Sequence, residues 1–176
     1  MDIGALNLFL SEENIKRHFD YLNTMSLKYS ILEKSEPTLI GKTMTEISKM
    51  RLSRDIKADA LHLLWYINSH KLFFKSFAVN PEKSELMLKK FTSRESFLYS
   101  LFELAKGREN GFLFVYKNRG GDINVDISNQ MGSAFLKWEP ILALDLYEHA
   151  YFSDYLFNKE RYLRAALSYL DTGKLI

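Results

Sequence analysis

Chemistry in this 176-residue chain has to come from His, Asp, Glu, Ser, Tyr and Lys, because the chain has no cysteine. That excludes disulfide frameworks, thiolate zinc sites, cysteine-ligated iron–sulfur clusters and cysteine nucleophiles together. Histidine occurs four times, at positions 18, 62, 70 and 149. Asp145 and His149 are the strongest local pair, since a four-residue offset brings a carboxylate and an imidazole to one side of a helical turn. Two donors do not fix a transition metal. His18 and His70, from two separate long helical segments, could complete a set of three nitrogens and one carboxylate oxygen, with a further position for water or substrate. The residue types and spacings taken alone favour a plainer alternative, in which Asp145 caps the last helix and the histidines hydrogen-bond within a core. His62, eight residues before His70, fits a packing or surface role.

The elements that must carry these residues have ample apolar material. Hydrophobic residues make up 47% of the chain and aromatic residues 14%, enough for a sizeable core without covalent staples. Lys and Arg number 24 against 22 Asp and Glu, a formal charge of +2, which is no nucleic-acid footprint. Lys16, Arg17 and Lys28 on the first helix read as solvated charge, and no Gly-rich phosphate cradle is present. The apolar run from Leu61 to Phe77 is broken by His62, Asn68, His70, Lys71 and Lys75, so no membrane span is expected. Met1 to Leu10 contains Asp2 and lacks a cationic flank, which reads poorly as a secretory signal; a cytoplasmic location is the expectation.

Ser11, able to accept an end amide, opens an amphipathic pattern through Ile15, Phe19, Leu22 and Leu27 that predicts a helix to about Leu32. Pro37 and Gly41 interrupt it, and Thr43 or Thr45 can start a short segment through Ile47. Apolar residues at helical spacing predict a mostly buried helix from Asp55 to about Phe77, closed by Pro81. Another is expected from Ser93 to Lys106, stopped by Gly107 in a left-handed conformation. The period then changes. Gly111 to Tyr116, a turn at Asn118 to Gly121 and Ile123 to Ile127 predict a β-hairpin, Pro140 to Leu144 a third strand, and Tyr147 to Leu170 a single last helix. The fold class read from this order is α+β: an N-terminal helical hairpin domain, residues 1–80, then a C-terminal α/β domain, residues 81–176, with a small antiparallel three-stranded sheet and helices. The changeover is expected between Val79 and Thr92.

The string Asp145-Leu-Tyr-Glu-His-Ala-Tyr-Phe-Ser-Asp-Tyr155 strongly resembles the Asp-x-Trp-Glu-His-Ala-Tyr-Tyr-x-x-Tyr signature of the iron/manganese superoxide dismutases. Weaker likenesses occur in the same order along the chain. Ser11 to His18 is similar to the family's first helix, and Gly41 to Ile47 to its Gly-Lys-Ser-Leu-Glu-Glu-Ile pattern. Asn68-Ser-His-Lys-Leu-Phe-Phe74 resembles its Asn-His-x-x-Phe-Trp segment with the Asn shifted by one position. Gly111 to Phe114 stands where the family has Gly-Trp-x-Trp, and Asn129-Gln130 resembles its Asn-Gln pair. The resemblance implies that His18, His70, Asp145 and His149 bind one Mn or Fe ion per chain, with superoxide as substrate. It further implies a homodimer in which Glu148 reaches across to the partner's ligand equivalent to His149. It makes Gln130 the donor to metal-bound solvent, which tilts the expected metal toward manganese.

Several positions depart from the family pattern. Leu22 stands where a His follows the first ligand by four residues, and Ser26 where a gateway Tyr follows it by eight. Phe152 replaces the second Tyr of Ala-Tyr-Tyr, so Leu22 and Phe152 are expected to be apolar neighbours. Phe74, Phe112, Phe114 and Tyr147 stand where Trp is usual; a phenyl ring still excludes water but lacks the indole donor. Tyr151 is kept. These changes remove much of a proton path, so a catalytically weak or inactive metal-binding dimeric scaffold is the alternative to a working dismutase.

Overall fold

The computed structural model describes residues 4–82, 84, 90–118, 120–130 and 139–175. Helix α1 (Glu12–Ser35) begins at Ser11, whose Oγ accepts the Asn14 N–H at 3.2 Å, with Glu12 and Glu13 complementing the positive end of the helix dipole. Thr43, rather than Thr45, caps α2 (Met44–Lys49) through a reciprocal box with Glu46. Ser53 caps α3 (Arg54–Lys75), which buries Ala60, Trp65, Ile67, Ser69, His70, Phe73 and Phe74. α1 and α3 pack on one another as the expected helical hairpin.

Ser93 caps α4 (Arg94–Lys106). Gly107 ends it at φ −90°, not in the left-handed region expected of it, because the Arg108 N–H closes a tight turn onto the Ala105 carbonyl at 3.1 Å. Strands β1 (Phe112–Lys117), β2 (Ile123–Ser128) and β3 (Glu139–Asp145) form an antiparallel sheet in the order β2-β1-β3. Central β1 is buried from Phe112 to Tyr116. Its register against β3 slips between Val115 and Tyr116, next to Pro140, which lacks a ladder N–H and is tolerated on an edge strand at a bulge. Gly121 at φ +85° makes the hairpin turn, whose Arg119 lies outside the described residues. The helices and the three-stranded antiparallel sheet together make the protein α+β. Residues 83 and 85–89, within the expected changeover, also lie outside the described residues.

The last predicted helix is two: α5 (Glu148–Tyr155) and α6 (Lys159–Ser168). Leu156 at φ +51° breaks the run, and Asn158 restarts it by accepting the Arg161 N–H at 3.0 Å. The bend answers the aromatic residues that occupy more than one face, since it lays Tyr151 and Tyr155 on the same Tyr162 ring at 5.2 and 5.6 Å. Leu22 is buried, whereas Phe152 is 40% exposed and meets Phe157.

Residues from both halves share one core, including Trp65, Phe73, Phe97, Phe112, Phe114, Leu142 and Leu144. Just past α3, Ser76 accepts the Ala143 N–H of β3 at its Oγ and the Asp171 N–H at its carbonyl, tying the helical half to the sheet half. No helix among the described residues is long and apolar enough to cross a membrane.

Candidate metal centre

Four elements each bring one donor to a single point. α1 carries His18 on the buried face that holds Ile15 and Leu22, α3 carries His70, β3 ends at Asp145, and His149 stands in the first turn of α5. β3 is placed by its pairing with β1, where Asp145 lies opposite Phe112. Gly111, just before β1, accepts the Leu146 N–H at 2.9 Å, fixing the exit from β3. A Cβ at Gly111 would stand 2.8 Å from the Ser128 carbonyl oxygen, and φ is +116°, so only glycine fits there.

Asp145 Oδ2 lies 3.1 Å from His18 Nε2, 3.1 Å from His149 Nε2 and 3.5 Å from His70 Nε2. His70 Nε2 and His149 Nε2 face each other at 3.2 Å, and the four donor atoms all lie within 4.8 Å of one another. Metal–donor bonds of about 2.0–2.2 Å to imidazole and carboxylate require such ligand-to-ligand spacings. Three nitrogens and one carboxylate oxygen suit a divalent first-row metal, so the residues present fit a single ion.

Asp145 divides its oxygens between the two roles open to it. Oδ1 accepts the Tyr147 N–H at 2.8 Å at the start of α5, while Oδ2 faces the histidines. Burial would raise the Asp145 pKa, but the charge and hydrogen bonds of His149 and His18 outweigh it and hold the carboxyl below its ordinary range. Burial lowers His18 despite Asp145, and lowers His70 to about 4. Burial also opposes protonation of His149, yet the Asp145 carboxylate outweighs it and raises that histidine. His70 is oriented by its backbone: Nδ1 lies 2.7 Å from the Tyr66 carbonyl, so it donates there and leaves Nε2 free as a lone-pair donor.

Rings enclose three sides. Phe73 and Phe74 lie 4.9 and 5.2 Å from His18, Phe112 lies 5.1 Å from His70, and Phe114 stacks behind Phe112 at 5.8 Å. Tyr147 stacks on His149 at 5.6 Å. His18, His70 and Asp145 have fully buried side chains, whereas the His149 side chain is 29% exposed. Two concavities meet there. One of about 600 Å³ is bordered by Tyr147, Glu148, His149, Tyr151 and Lys159, and the other, of about 330 Å³, by Arg17, Tyr21, Glu148, His149 and Phe152.

Of the remaining sequence-derived candidates, Glu148 and Arg17 border this opening, while His62 and Lys28 line a separate concavity. Glu148 is exposed at the lip. Ser26 Oγ is spent on the Leu22 carbonyl at 2.9 Å. Gln130 is exposed, and its N–H reaches Ser128 Oγ at 3.3 Å. His62 is exposed against the Tyr66 ring, and Lys16 and Lys28 are exposed as well. Arg17 pairs with Glu13 and donates to Ser153 Oγ at 3.0 Å. Two tyrosines went unnoticed in the sequence. Tyr21 stacks on His149 at 4.6 Å, and the Tyr66 hydroxyl donates to that of Tyr147 at 2.9 Å, which in turn reaches the Asn129 carbonyl at 3.3 Å. Their signal was spacing: Tyr21 lies three residues after His18, and Tyr66 four before His70, each on its ligand's helix face.

Comparison with known proteins adds one match. Residues 80–174 match the family model for the iron/manganese superoxide dismutases, C-terminal domain. Asp145 and His149 lie inside the matched region, and His18 and His70 precede it. No curated protein matches the chain significantly.

Proposed function

The chain belongs to the iron/manganese superoxide dismutase family, and on that premise we propose that it converts superoxide to dioxygen and hydrogen peroxide at one manganese or iron ion held by His18, His70, Asp145 and His149. The observation that carries this reading is the convergence of three imidazoles and one carboxylate from four elements, with only the His149 side open to solvent. Two superoxide anions and two protons give one dioxygen and one hydrogen peroxide, one anion being oxidised and the other reduced. A bound ion supplies the one-electron shuttle between them.

The chain's own residues do the rest. Asp145 stays ionised and offsets the charge of the cation, while the Tyr66 carbonyl holds His70 in the tautomer that offers Nε2. Phe74 and Phe112 keep bulk water from the closed side. Tyr21, Tyr66 and Tyr147 hold hydroxyl-bearing rings around His70 and His149. Gln130, next to the carbonyl that the Tyr147 hydroxyl reaches, is the proposed donor to metal-bound solvent, and it favours manganese over iron. A homodimer and a cytoplasmic site of action belong to the same proposal. Exposed Glu148 at the open lip would reach the partner's ligand, and Phe152, Leu156 and Phe157 leave 40%, 60% and 88% of their surface to be covered.

A second reading, a metal-binding dimeric scaffold with little or no turnover, draws on a specific observation. Buried Leu22, Ser26 with its hydroxyl spent on its own helix, and Phe152 remove much of the expected proton path. Superoxide decay against concentration of separately Mn-loaded and Fe-loaded protein, with occupancy measured and the apo form as control, tests both. Metal-dependent catalytic decay is the expected result. Fully loaded protein no faster than apo would overturn dismutation and leave the scaffold.

A further inference from the structure

Two buried polar atoms near the start of α1, one of them on a cluster histidine, lack partners. Among the described residues, Asn14 Oδ1 and His18 Nδ1 are both buried without a hydrogen-bond partner. They belong to residues four apart on the buried face of α1, where side chains are neighbours. A buried polar atom left unpaired is costly, and two such atoms on neighbouring side chains call for a state in which they satisfy each other.

Only one tautomer provides it. When His18 Nε2 donates to Asp145 Oδ2 at 3.1 Å, a neutral imidazole keeps only a lone pair at Nδ1, and that lone pair and the Asn14 carboxamide oxygen, both acceptors, cannot satisfy each other. When Nε2 gives its lone pair to a cation, the proton resides on Nδ1, a donor that the Asn14 oxygen four residues away can accept from. We infer that Asn14 is a positioning residue for the metal site, accepting the Nδ1–H of His18 and thereby fixing the tautomer and ring orientation that present Nε2. This deepens the metal-site reading above and rests on it. His70 has the corresponding device in the Tyr66 carbonyl, whereas among the described residues His18 Nδ1 has no hydrogen-bond partner. The other end of the carboxamide donates from Nδ2 to the carbonyl of Ala150 at 3.3 Å, the residue after His149. One fully buried side chain thus links a ligand on α1 to the helix bearing another.

Zn²⁺, a diamagnetic ion suited to the same donors, serves as the probe. In ¹⁵N-histidine NMR of the zinc-loaded protein, the His18 Nδ1–H is expected to be protected from solvent exchange. Asn14→Leu should release zinc to a chelator about 10- to 100-fold faster, the usual penalty for losing an outer hydrogen-bond partner of a ligand. Asn14→Asp, which keeps an acceptor oxygen but loses the donor to Ala150, should hold zinc as the unmodified protein does. Equal release from both variants would mean that Asn14 only ties the helices, and would overturn the inference. So would an Asn14→Leu protein that retains zinc normally, or a rapidly exchanging His18 Nδ1–H in the unmodified protein, a result that needs no variant to fold. Failure of the unmodified protein to bind Zn²⁺ or Mn²⁺ would instead remove the metal-site reading, and this inference with it.

Discussion

The closed wall of the cluster and its open mouth are built from different materials. On the wall, His18, His70 and Asp145 are fully enclosed by Phe73, Phe74 and Phe112, and each is held by an element whose position the core dictates. At the mouth, His149 keeps part of its ring in solvent among Tyr21, Tyr147, Glu148 and Lys159. The departures from the family pattern that bear on proton supply, Leu22, Ser26 and Phe152, do not alter a donor. The wall keeps the donor geometry; under the proposed function, the groups around the mouth would set what reaches an ion there and with which protons.

Substitutions should separate the two regions, and the largest effect is expected at the mouth. His149→Ala should abolish stable metal retention while leaving the apo protein folded, read by metal analysis after gel filtration alongside circular dichroism. Unchanged occupancy and turnover would sink the ligand assignment. On the wall the loss should be mechanical: Phe112→Ala removes a fully buried ring and should cost about 3–5 kcal/mol in urea unfolding.

Acid should empty the site from the mouth inward. His149 has a raised pKa, because the Asp145 carboxylate outweighs its burial, whereas burial lowers His70 to about 4. Ligand imidazoles must be unprotonated, so binding releases protons and retention falls as pH falls. The loss should begin as pH drops through the raised His149 value, well above 4. A metal affinity, measured by competition with a chelator, that does not fall between pH 7 and pH 4 would mean that His149 is not a ligand.

A smaller effect is expected from Gln130→Leu, about a tenfold loss of turnover with metal retention intact. Turnover unchanged would show that the exposed Gln130 carboxamide plays no part. Smallest of all, Ser26→Ala removes a hydroxyl already committed to its own helix and should shift stability by no more than about 0.5 kcal/mol, read by thermal unfolding.

Much of the fold was legible in local chemistry. Ser11, Thr43, Ser53 and Ser93 each begin a helix at the residue where the side chain accepts an end amide, and the apolar spacing alone starts α3 at Asp55, two residues past Ser53. The hairpin followed from a change of period and a glycine turn. What failed depended on tertiary packing: the bend at Leu156 is dictated by where Tyr162 lies, and Gly107 was free to end α4 without a left-handed turn. The candidate site divided in the same way. Asp145 and His149 are a local pair, but that His18 and His70 meet them depends on α1 and α3 docking against β3 and α5, which no local spacing contains. Tyr21 and Tyr66 escaped notice because their importance lies in what they face.

The separations along the chain have a consequence for how the protein matures. His18 and Asp145 are 127 residues apart, and His70 and His149 are 79 apart. An ion gathering those side chains in an unfolded chain would have to close several large loops before any packing repaid the lost entropy. In a zinc finger, by contrast, nearby ligands let the metal drive folding outright. Here the donors belong to α1, α3, β3 and α5, so under the proposed function an ion would be expected to enter a scaffold that has already docked, past His149, whose side chain is the exposed one of the four.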